Sequence, residues 1–472
     1  MNITASLTDL VAGARLRFYR IRQAGHKQTT GEDSLRTKVL KLALPATAEQ
    51  LLSMMVSIVD TMLVGHLGAT ALAAVSLATQ WSFMAVTLFT AVSTGATALV
   101  ARSVGAGDWD TANRTVRQSV LVGLVIGLAA TALAFLFAEP AVAMMGAEPE
   151  ALSLGVAYLR VASIVFALSA LMFVGNACLR GAGDTRTTMM IMAVVNVLNI
   201  AVAWTAINGP FGLPKLGVTG SALGAVAGRG VGGLLVLGIL LKGRSGLKLE
   251  LRGWRPDAEI VRRVLRVGLP TGIERLVMRL GMMLFLRVIA GLGTVAVAAH
   301  AVALRAESLS FMPGFGFAVA GTTLIGQGLG ARDPKRAERS GYLTYRMAAY
   351  LMAVMGIIFI LFPRPLISLF TDDPMVVQAA TIPLRIVGFI QPLLAAAMVF
   401  PGCLRGAGDT RFPMYITSLT IWAIRVPMAL LLGLGLGLGL VGAWAGMAVD
   451  LAIRGCIFFL RFRSGRWKQM KV

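Results

Sequence analysis

The chain has 472 residues, of which 57% are hydrophobic and only 14% charged, and its mean hydropathy is +0.77. Soluble domains carry about a quarter charged residues, so this composition excludes a water-soluble globular protein and indicates a membrane protein with many spans. The net charge of +22 is typical of nucleic-acid-binding proteins, but the basic residues fall in alternate loops and not on one face, which excludes that class. The cysteines Cys178, Cys403 and Cys456 argue against a disulfide framework.

The chain begins with a basic segment at residues 1–41. Within it, residues 1–30 are rich in arginine and contain one acid, Asp9. They lack the apolar core of a signal peptide and suit a short helix on the membrane surface. A series of apolar runs follows, and each is long enough to cross about 30 Å of hydrocarbon as a helix. These runs lie at residues 42–64, 71–100, 118–138, 151–178, 187–207, 217–241, 267–290, 295–325, 343–362, 378–402, 412–432 and 441–460.

The most informative feature of the sequence is a long internal repeat. The segment Cys178–Arg186 is identical to Cys403–Arg411, and the same offset of 225 residues aligns Glu49 with Glu274 without a gap. A repeat of this length means that the chain contains two copies of one structural unit. Each copy contains six of the twelve predicted spans.

The repeat divides the chain into two six-helix bundles, at residues 42–241 and 267–460. A basic linker at 242–266 joins them, and a basic tail at 461–472 follows. Because six is an even number, the second bundle enters the membrane from the same side as the first. The sequence therefore predicts an all-α integral membrane protein with twelve transmembrane helices. Its two parallel six-helix repeats are related by a pseudo-two-fold axis along the membrane normal, which places a cavity between the bundles near mid-membrane.

The distribution of basic residues gives the predicted orientation. Of the 44 lysines and arginines, 33 lie in the terminal segments and in the loops on the same side as the N-terminus. On the opposite side only Lys215 and Arg364 are found. Positively charged loops stay in the cytoplasm, so both termini are expected there, in a multi-pass protein of a bacterial cell inner membrane. We expect a monomer that contacts membrane lipid and small organic substrates but no nucleic acid.

Several sequence signatures of enzymes are absent. The chain has no GxxxxGK[ST] phosphate loop, no HExxH motif and no pair of CxxC motifs. Its histidines, His26, His66 and His300, are far apart in sequence, and nothing resembles a nucleophile with its base. We therefore expect a protein that is not an enzyme and that has neither a cofactor nor a bound metal. If it moves a compound uphill, the energy comes from an ion gradient.

Five short motifs occur in order along the doubled unit, namely Leu44-Pro45, Val59-Asp60-Thr61, Val64–Gly68, Leu179–Thr185 and Gly326–Ala331. On these motifs the chain resembles the multidrug and toxic compound extrusion (MATE) transporters over about residues 42–460, and their bacterial multidrug branch in particular. The resemblance implies export of organic, often cationic or aromatic compounds in exchange for H⁺ or Na⁺. It also implies alternating access by rocking of the two halves.

Asp60 is the main candidate for coupling to the ion. It is an acid within an apolar helix, where a charged group costs several kcal/mol unless it is paired, hydrated or protonated. The resemblance also places the family's helix 1 coupling acid here. Asn199 and Asn196, three residues apart on one face of the fifth helix, are expected to share a polar site with it. The alternatives are a structural carboxylate and ordinary hydrogen bonding between helices.

The coupling ion stays open because this chain departs from its relatives. One branch has an acid four residues after the helix 5 asparagine, where this chain has Ala203. Another branch places acids deeper in helices 7 and 10. Here the matching region of helix 7 has Met278, and helix 10 has no acid and one charged residue, Arg385. Na⁺ at Asp60 and H⁺ at Asp60 therefore both remain as interpretations.

Other charged residues within the spans have two interpretations each. Glu49 and Glu274 are repeat equivalents and candidates for an inner gate, and we interpret Glu49 as structural. Glu274 is a coupling candidate whose alternative is an ion pair with Arg275, Arg279 or a loop arginine. The remaining cases are on helices 8, 11 and 12. Arg305 and Glu307 on helix 8 are two residues apart, so they point in different directions, and they are substrate or gate candidates. Asp450 and Arg454 on helix 12 have the spacing of an ion pair. Arg425 on helix 11 has no obvious partner.

A flexible, polarizable wall suits a promiscuous cavity, and aromatic faces attract cations by about 0.5–2 kcal/mol. The residues predicted on this basis to line the substrate cavity are Gln50, Met54, Met55, Gln80, Trp81 and Phe83. Glu307 and Arg305 are the charged candidates for the same cavity. Each has core packing or lipid contact as its alternative. The repeated Arg-Gly-Ala-Gly-Asp-Thr-Arg loops are interpreted as structural hinges whose charges cap helix ends.

Three other functions are alternatives to drug antiport. A flippase for a lipid-linked precursor would use the same fold and would need cationic residues around the cavity. The candidates for that role, Arg279, Arg305 and Arg425, are not clustered in sequence. A membrane enzyme would need clustered His, Asp or Cys at the membrane face, and a passive channel would dissipate gradients without extruding anything.

Overall fold

The computed structural model of the protein describes residues 31–209, 214–250 and 254–470. The surface helix predicted within residues 1–30 lies outside this part of the chain. The described residues form helices and connecting loops, with one isolated β-bridge between Arg244 and Leu247. The long helices are α1 Gly31–Gly65, α2 Ala69–Ala106, α3 Trp109–Leu136, α4 in two segments Pro149–Ser163 and Phe166–Gly181, α5 Thr185–Asn208, α6 Gly217–Lys242, α7 Ala258–Ala290, α8 Thr294–Gly330, α9 Pro334–Leu361, α10 Pro374–Ala407, α11 Arg411–Gly435 and α12 Gly439–Arg463.

These helices confirm the predicted twelve-helix, two-repeat architecture. Ten of them are long and apolar enough to cross a membrane, and the two segments of α4, bent by 53°, make an eleventh. The remaining helix, α7, is as long as the others but carries Glu274, Arg275 and Arg279 near its centre. These charges lower its hydropathy, and they mark it as a helix that faces a polar interior and not lipid alone.

The helices extend beyond the apolar runs that predicted them. Helix α1 begins at Gly31, so the end of the predicted segment 1–41 already belongs to the first span. Likewise α7 begins at Ala258, within the predicted linker, and a short 3₁₀ helix at Arg466–Gln469 lies in the predicted tail. The reason is physical: an apolar run ends where the hydrocarbon ends, whereas backbone hydrogen bonding continues into the polar interface.

Each half has its own apolar core, and the first helix of each half also packs onto the other. The core of the second half includes Val39 and Leu42 from the beginning of α1. The core of the first half includes Ile260 and Val264 from the beginning of α7. The first helix of each half thus packs against the other half on the side where α1 begins and α12 ends. We call this side the terminal side.

On the terminal side, backbones of the two halves touch where α2 crosses α8. Gly105 on α2 lies against the Gln327 backbone, and its repeat equivalent Gly330 on α8 lies against the Arg102 backbone. Glycine is required at both places because a Cβ atom would overlap the facing carbonyl oxygen. Two hydrogen bonds add to this contact: Thr323 Oγ1 donates to the Arg180 carbonyl at 2.8 Å, and Gln327 Nε2 donates to the Gly181 carbonyl at 3.1 Å. The protein is therefore closed on this side.

A substitution tests this contact. We expect Gly105→Ala to lower the stability of the folded protein by about 1–3 kcal/mol, because the added methyl group meets backbone that cannot rotate away. The measurement is the thermal unfolding midpoint in detergent. The matched control is Gly65→Ala, since Gly65 ends α1 with open space around it. Equal midpoints for the two variants would contradict a tight crossing.

Candidate substrate and ion sites

The first candidate site lies inside the first half, around Asp60 of α1. The Asn199 side chain on α5 hydrogen-bonds Asp60, and the Arg229 guanidinium on α6 acts on it electrostatically. Asp60 Oδ1 is buried and has no hydrogen-bond partner among the residues that the structure describes, and the same is true of Asn199 Oδ1. Two unsatisfied oxygens side by side form an arrangement that a proton or a small cation would complete.

Sequence reasoning placed Asp60 and Asn199 together correctly but missed two neighbours. Arg229 and Tyr158 both interact electrostatically with the Asp60 carboxylate. A signal for Arg229 was present, because the repeat aligns it with Arg454 of the second half. Tyr158 lies on the first segment of α4, Pro149–Ser163, and nothing in its local sequence distinguishes it from a packing residue.

The other predicted member of this site, Asn196, has a different role. Its Nδ2 donates to the Leu52 carbonyl at 2.7 Å, which ties α5 to α1. The residue is buried. This is the hydrogen bonding between helices that was the alternative interpretation, and the bond leads away from Asp60.

The second candidate site is a cavity of about 450 Å³ inside the second half. It lies among α7, α8, α10, α11 and α12. Of the predicted site residues, Glu274 and Glu307 line it, and Arg305 does not. Glu307 is buried whereas Arg305 is exposed, so the prediction that they point in different directions is confirmed. The apolar wall includes Met278, Met282, Met312, Met398, Met447, Phe311 and Phe315.

A buried ionic cluster forms one end of this cavity. Asp450 on α12 accepts hydrogen bonds from Arg454 Nη2 at 2.7 Å and from Arg425 Nε at 2.7 Å. The predicted pair of Asp450 and Arg454 is confirmed. Arg425, for which the sequence offers no obvious partner, binds the Asp450 carboxylate from a π-helical turn of α11 at Ile421–Arg425.

Each half has the same internal brace. Glu49 accepts from Arg180 Nη1 at 2.8 Å, and its repeat equivalent Glu274 accepts from Arg405 Nη2 at 2.9 Å. Thr417 also donates to Glu274, at 3.0 Å. Both arginines belong to the repeated motif. Glu49 is structural as predicted, and Glu274 has the loop-arginine partner that was the alternative to ion coupling.

The aspartates of the repeated motif hold the loops that follow α4 and α10. Asp184 accepts from the Thr187 backbone N–H at 3.0 Å and thereby caps α5, as predicted. Burial works against ionisation of Asp184, but hydrogen bonds from Ser245, Thr187 and Arg244 outweigh it and lower the pKa of this carboxyl below its ordinary value. Its equivalent Asp409 binds Arg461 instead, at 2.8 Å.

The remaining predicted cavity residues separate into two groups. Gln80 and Phe83 on α2 both contact Arg279 on α7, whose guanidinium carbon lies 4.8 Å from the Phe83 ring centroid. Met54 on α1 faces Ser308 on α8, with 3.7 Å between Sδ and Oγ. These three residues therefore lie where the two halves meet.

The second group comprises Trp81, Met55 and Gln50. Trp81 donates from Nε1 to the Ala141 carbonyl at 3.0 Å, inside the first half. Met55 is exposed and Gln50 is half-buried. None of the three lines the cavity of about 450 Å³.

The family model described as MatE matches residues 45–205 and 270–431, one match in each half. The chain belongs to the MatE family. It is 36% identical to "Probable multidrug resistance protein NorM" of Thermotoga maritima over 93% of this chain and 94% of the relative. It is 32% identical to the protein of the same name from Rhizobium meliloti, over 90% of this chain and 92% of that protein.

Among solved structures, the chain is similar to one described as the outward-facing conformation of a multidrug resistance MATE family transporter of the MOP superfamily. The TM-score is 0.86, with 25% sequence identity over 93% of this chain and 98% of the other. Because the match covers both repeats, the MATE fold extends through the surroundings of Asp60 in the first half and the second-half cavity alike.

Proposed function

We propose that this chain is a secondary active antiporter that exports organic, often cationic or aromatic, compounds in exchange for H⁺ or Na⁺ by alternating access. The names of its relatives support multidrug export. The observation that supports ion coupling is the Asp60 carboxyl group, which hydrogen-bonds Asn199 and whose Oδ1 has no partner among the described residues. We further propose that one chain is the working unit, since a single chain holds both candidate sites.

Asp60 couples the ion to the substrate. With a proton or Na⁺ on its free oxygen, α1 rearranges and the protein releases the drug; after the ion leaves on the other side, new substrate binds. Coupling of this kind requires only that ion and drug disfavour each other in one state. The braces Glu49–Arg180 and Glu274–Arg405 support movement of each half as a rigid body, because each brace joins residues of the same half.

The direction of export follows from the orientation that we propose. The terminal side, which carries most of the basic residues, is cytoplasmic, and the protein lies in the cell inner membrane with both termini inside. The contacts of Gly105 and Gly330 close the cytoplasmic side in this conformation. The cavity then releases substrate outward, and the solved relative described as outward-facing supports this assignment.

The test is ethidium transport in inverted vesicles that contain the full chain, with a pH gradient and a Na⁺ gradient imposed separately. We expect one gradient to drive ethidium accumulation and the other to leave it at the level of empty vesicles. The gradient that works identifies the ion. If neither gradient drives transport while the protein is present in the membrane, ethidium antiport is excluded.

A flippase for a lipid-linked precursor is the second candidate function. One observation favours it: Arg275, Arg405, Arg425 and Arg454, far apart in sequence, line one cavity. Acids already bind three of these arginines, which leaves little free charge for a pyrophosphate. A drug-susceptibility panel in a pump-deficient host separates the two, since a flippase confers no resistance.

A further inference from the structure

The charges around the second-half cavity do not balance. Four arginines line it, Arg275, Arg405, Arg425 and Arg454. Three acids are in contact with this set: Glu274 and Glu307 line the cavity, and Asp450 lies fully buried behind it. Even with every acid ionised, one positive charge is in excess.

Each acid is already associated with an arginine. Glu274 is bound by Arg405 at 2.9 Å, and Asp450 by Arg454 at 2.5 Å. Glu307 interacts electrostatically with Arg425. Of the four arginines, Arg405, Arg425 and Arg454 each form an ion pair with Glu274 or Asp450, and Arg275 forms none with the residues that the structure describes.

Arg275 has no hydrogen bond and no ion pair within the part of the chain that the structure describes. Its nearest charged neighbours are Arg405 and Glu274, and those two bind each other. The side chain is exposed to the cavity near the middle of α7. A guanidinium that faces a cavity inside the bundle, and whose neighbouring acid Glu274 is already bound by Arg405, attracts an anion, because Coulomb interactions are stronger where the dielectric constant is low.

The wall beside Arg275 suits the apolar part of a ligand. Met278 lies one turn along α7, and Met282 follows it, while Phe311 and Phe315 approach from α8. Methionine and aromatic side chains adapt to ligands of different shape. A volume of about 450 Å³ is that of a site for a small drug-sized molecule.

The internal repeat indicates that this charge is not needed for the fold. The position equivalent to Arg275 in the first half is Gln50, directly after the braced Glu49. The first half forms the same brace to Arg180 without any arginine at that position. The positive charge is therefore an addition that is confined to the second-half cavity.

We propose that the second-half cavity binds small amphipathic organic anions, with a carboxylate or sulfonate on Arg275 and the aromatic body against the methionine and phenylalanine wall. The proposal names a substrate class for the transporter proposed above and rests on that function for its transport consequence. Binding itself does not depend on it. A permanently cationic dye would not need Arg275.

The test is equilibrium binding of a matched fluorescent pair to the full chain in phosphatidylcholine nanodiscs. The probes are N-dansylglycine, which carries one carboxylate, and its uncharged methyl ester, with empty nanodiscs as background. We expect the acid to bind wild type at least about tenfold more tightly than the ester, or about 1.4 kcal/mol, because only the acid forms a charge-assisted hydrogen bond with Arg275. In Arg275→Gln the acid should bind no more tightly than the ester.

The controls separate charge from folding. Arg287→Gln removes a positive charge from the same helix, away from the cavity, and should keep the preference for the acid. Arg275→Gln introduces the residue of the other repeat, and Arg275→Lys keeps the charge and should keep the preference as well. A wild type without preference, or an Arg275→Gln variant that retains it, overturns the proposal. Failure of ethidium transport in the vesicle experiment affects the proposed function and leaves this binding result unchanged.

Discussion

Asp60→Asn is expected to abolish gradient-driven efflux while substrate binding persists. Asparagine has nearly the shape of aspartate and keeps a hydrogen bond to Asn199. It cannot take up a proton at this position, and it has no charge for Na⁺. Without an exchangeable ion, the free-energy link between the gradient and the drug is lost.

The measurement compares two modes of transport in the same vesicles. Ethidium accumulation against its gradient should fall at least about tenfold, to the background of empty vesicles. A tenfold fall corresponds to a loss of about 1.4 kcal/mol in the free energy that the ion gradient transfers to the drug. Exchange of labelled for unlabelled ethidium at equilibrium requires no ion and should continue. Asp110→Asn, which removes an acid of a surface ion pair on α3, is the control for both modes.

These two modes also separate coupling from misfolding. A misfolded variant loses accumulation and exchange together, whereas an uncoupled one loses accumulation alone. Accumulation at the wild-type rate in Asp60→Asn would show that the ion binds elsewhere. Among the described residues, Glu307 would then be the next candidate, because it is buried and lines the second-half cavity.

The architecture followed from the sequence because it depends on periodic features. The repeat aligns Glu49 with Glu274, and the structure gives both the same kind of arginine partner from the repeated motif. Apolar runs and basic loops located the spans to within a few turns. Asp60 was identified for a related reason: an acid in an apolar helix needs an explanation wherever that helix packs.

The second-half cavity was not predicted, because its wall comes from five helices that are distant in sequence. In the sequence, Arg275 is recognisable only as a possible partner of Glu274. Met278 is notable only because some relatives have an acid in that region of helix 7. Which faces of α7 and α8 meet depends on crossing angles that no single-helix pattern specifies. The π-helical turn before Arg425 also changes the direction of the residues around it, and it is not visible in the sequence.

The buried cluster around Asp450 is expected to give the largest loss of stability in the second half. Asp450 is fully buried and lies between Arg425 and Arg454, at 2.7 Å and 2.5 Å. Replacing it with alanine would leave two arginines facing each other inside the bundle without the carboxylate that pairs with both. Breaking a buried ion pair from one side costs about 3–5 kcal/mol, because the remaining charge stays desolvated.

We therefore expect Asp450→Ala to lower the thermal unfolding midpoint in detergent far more than Asp110→Ala does. Asp110 also pairs with an arginine, Arg114 at 2.9 Å, but both side chains are exposed, and such a pair contributes about 0–1 kcal/mol. The double variant Asp450→Ala with Arg425→Met tests the physical cause. Removing one of the two unpaired cations should restore part of the stability, since methionine fills the space without a charge. If the double variant is no more stable than Asp450→Ala, packing of the aspartate and not its charge holds α11 against α12.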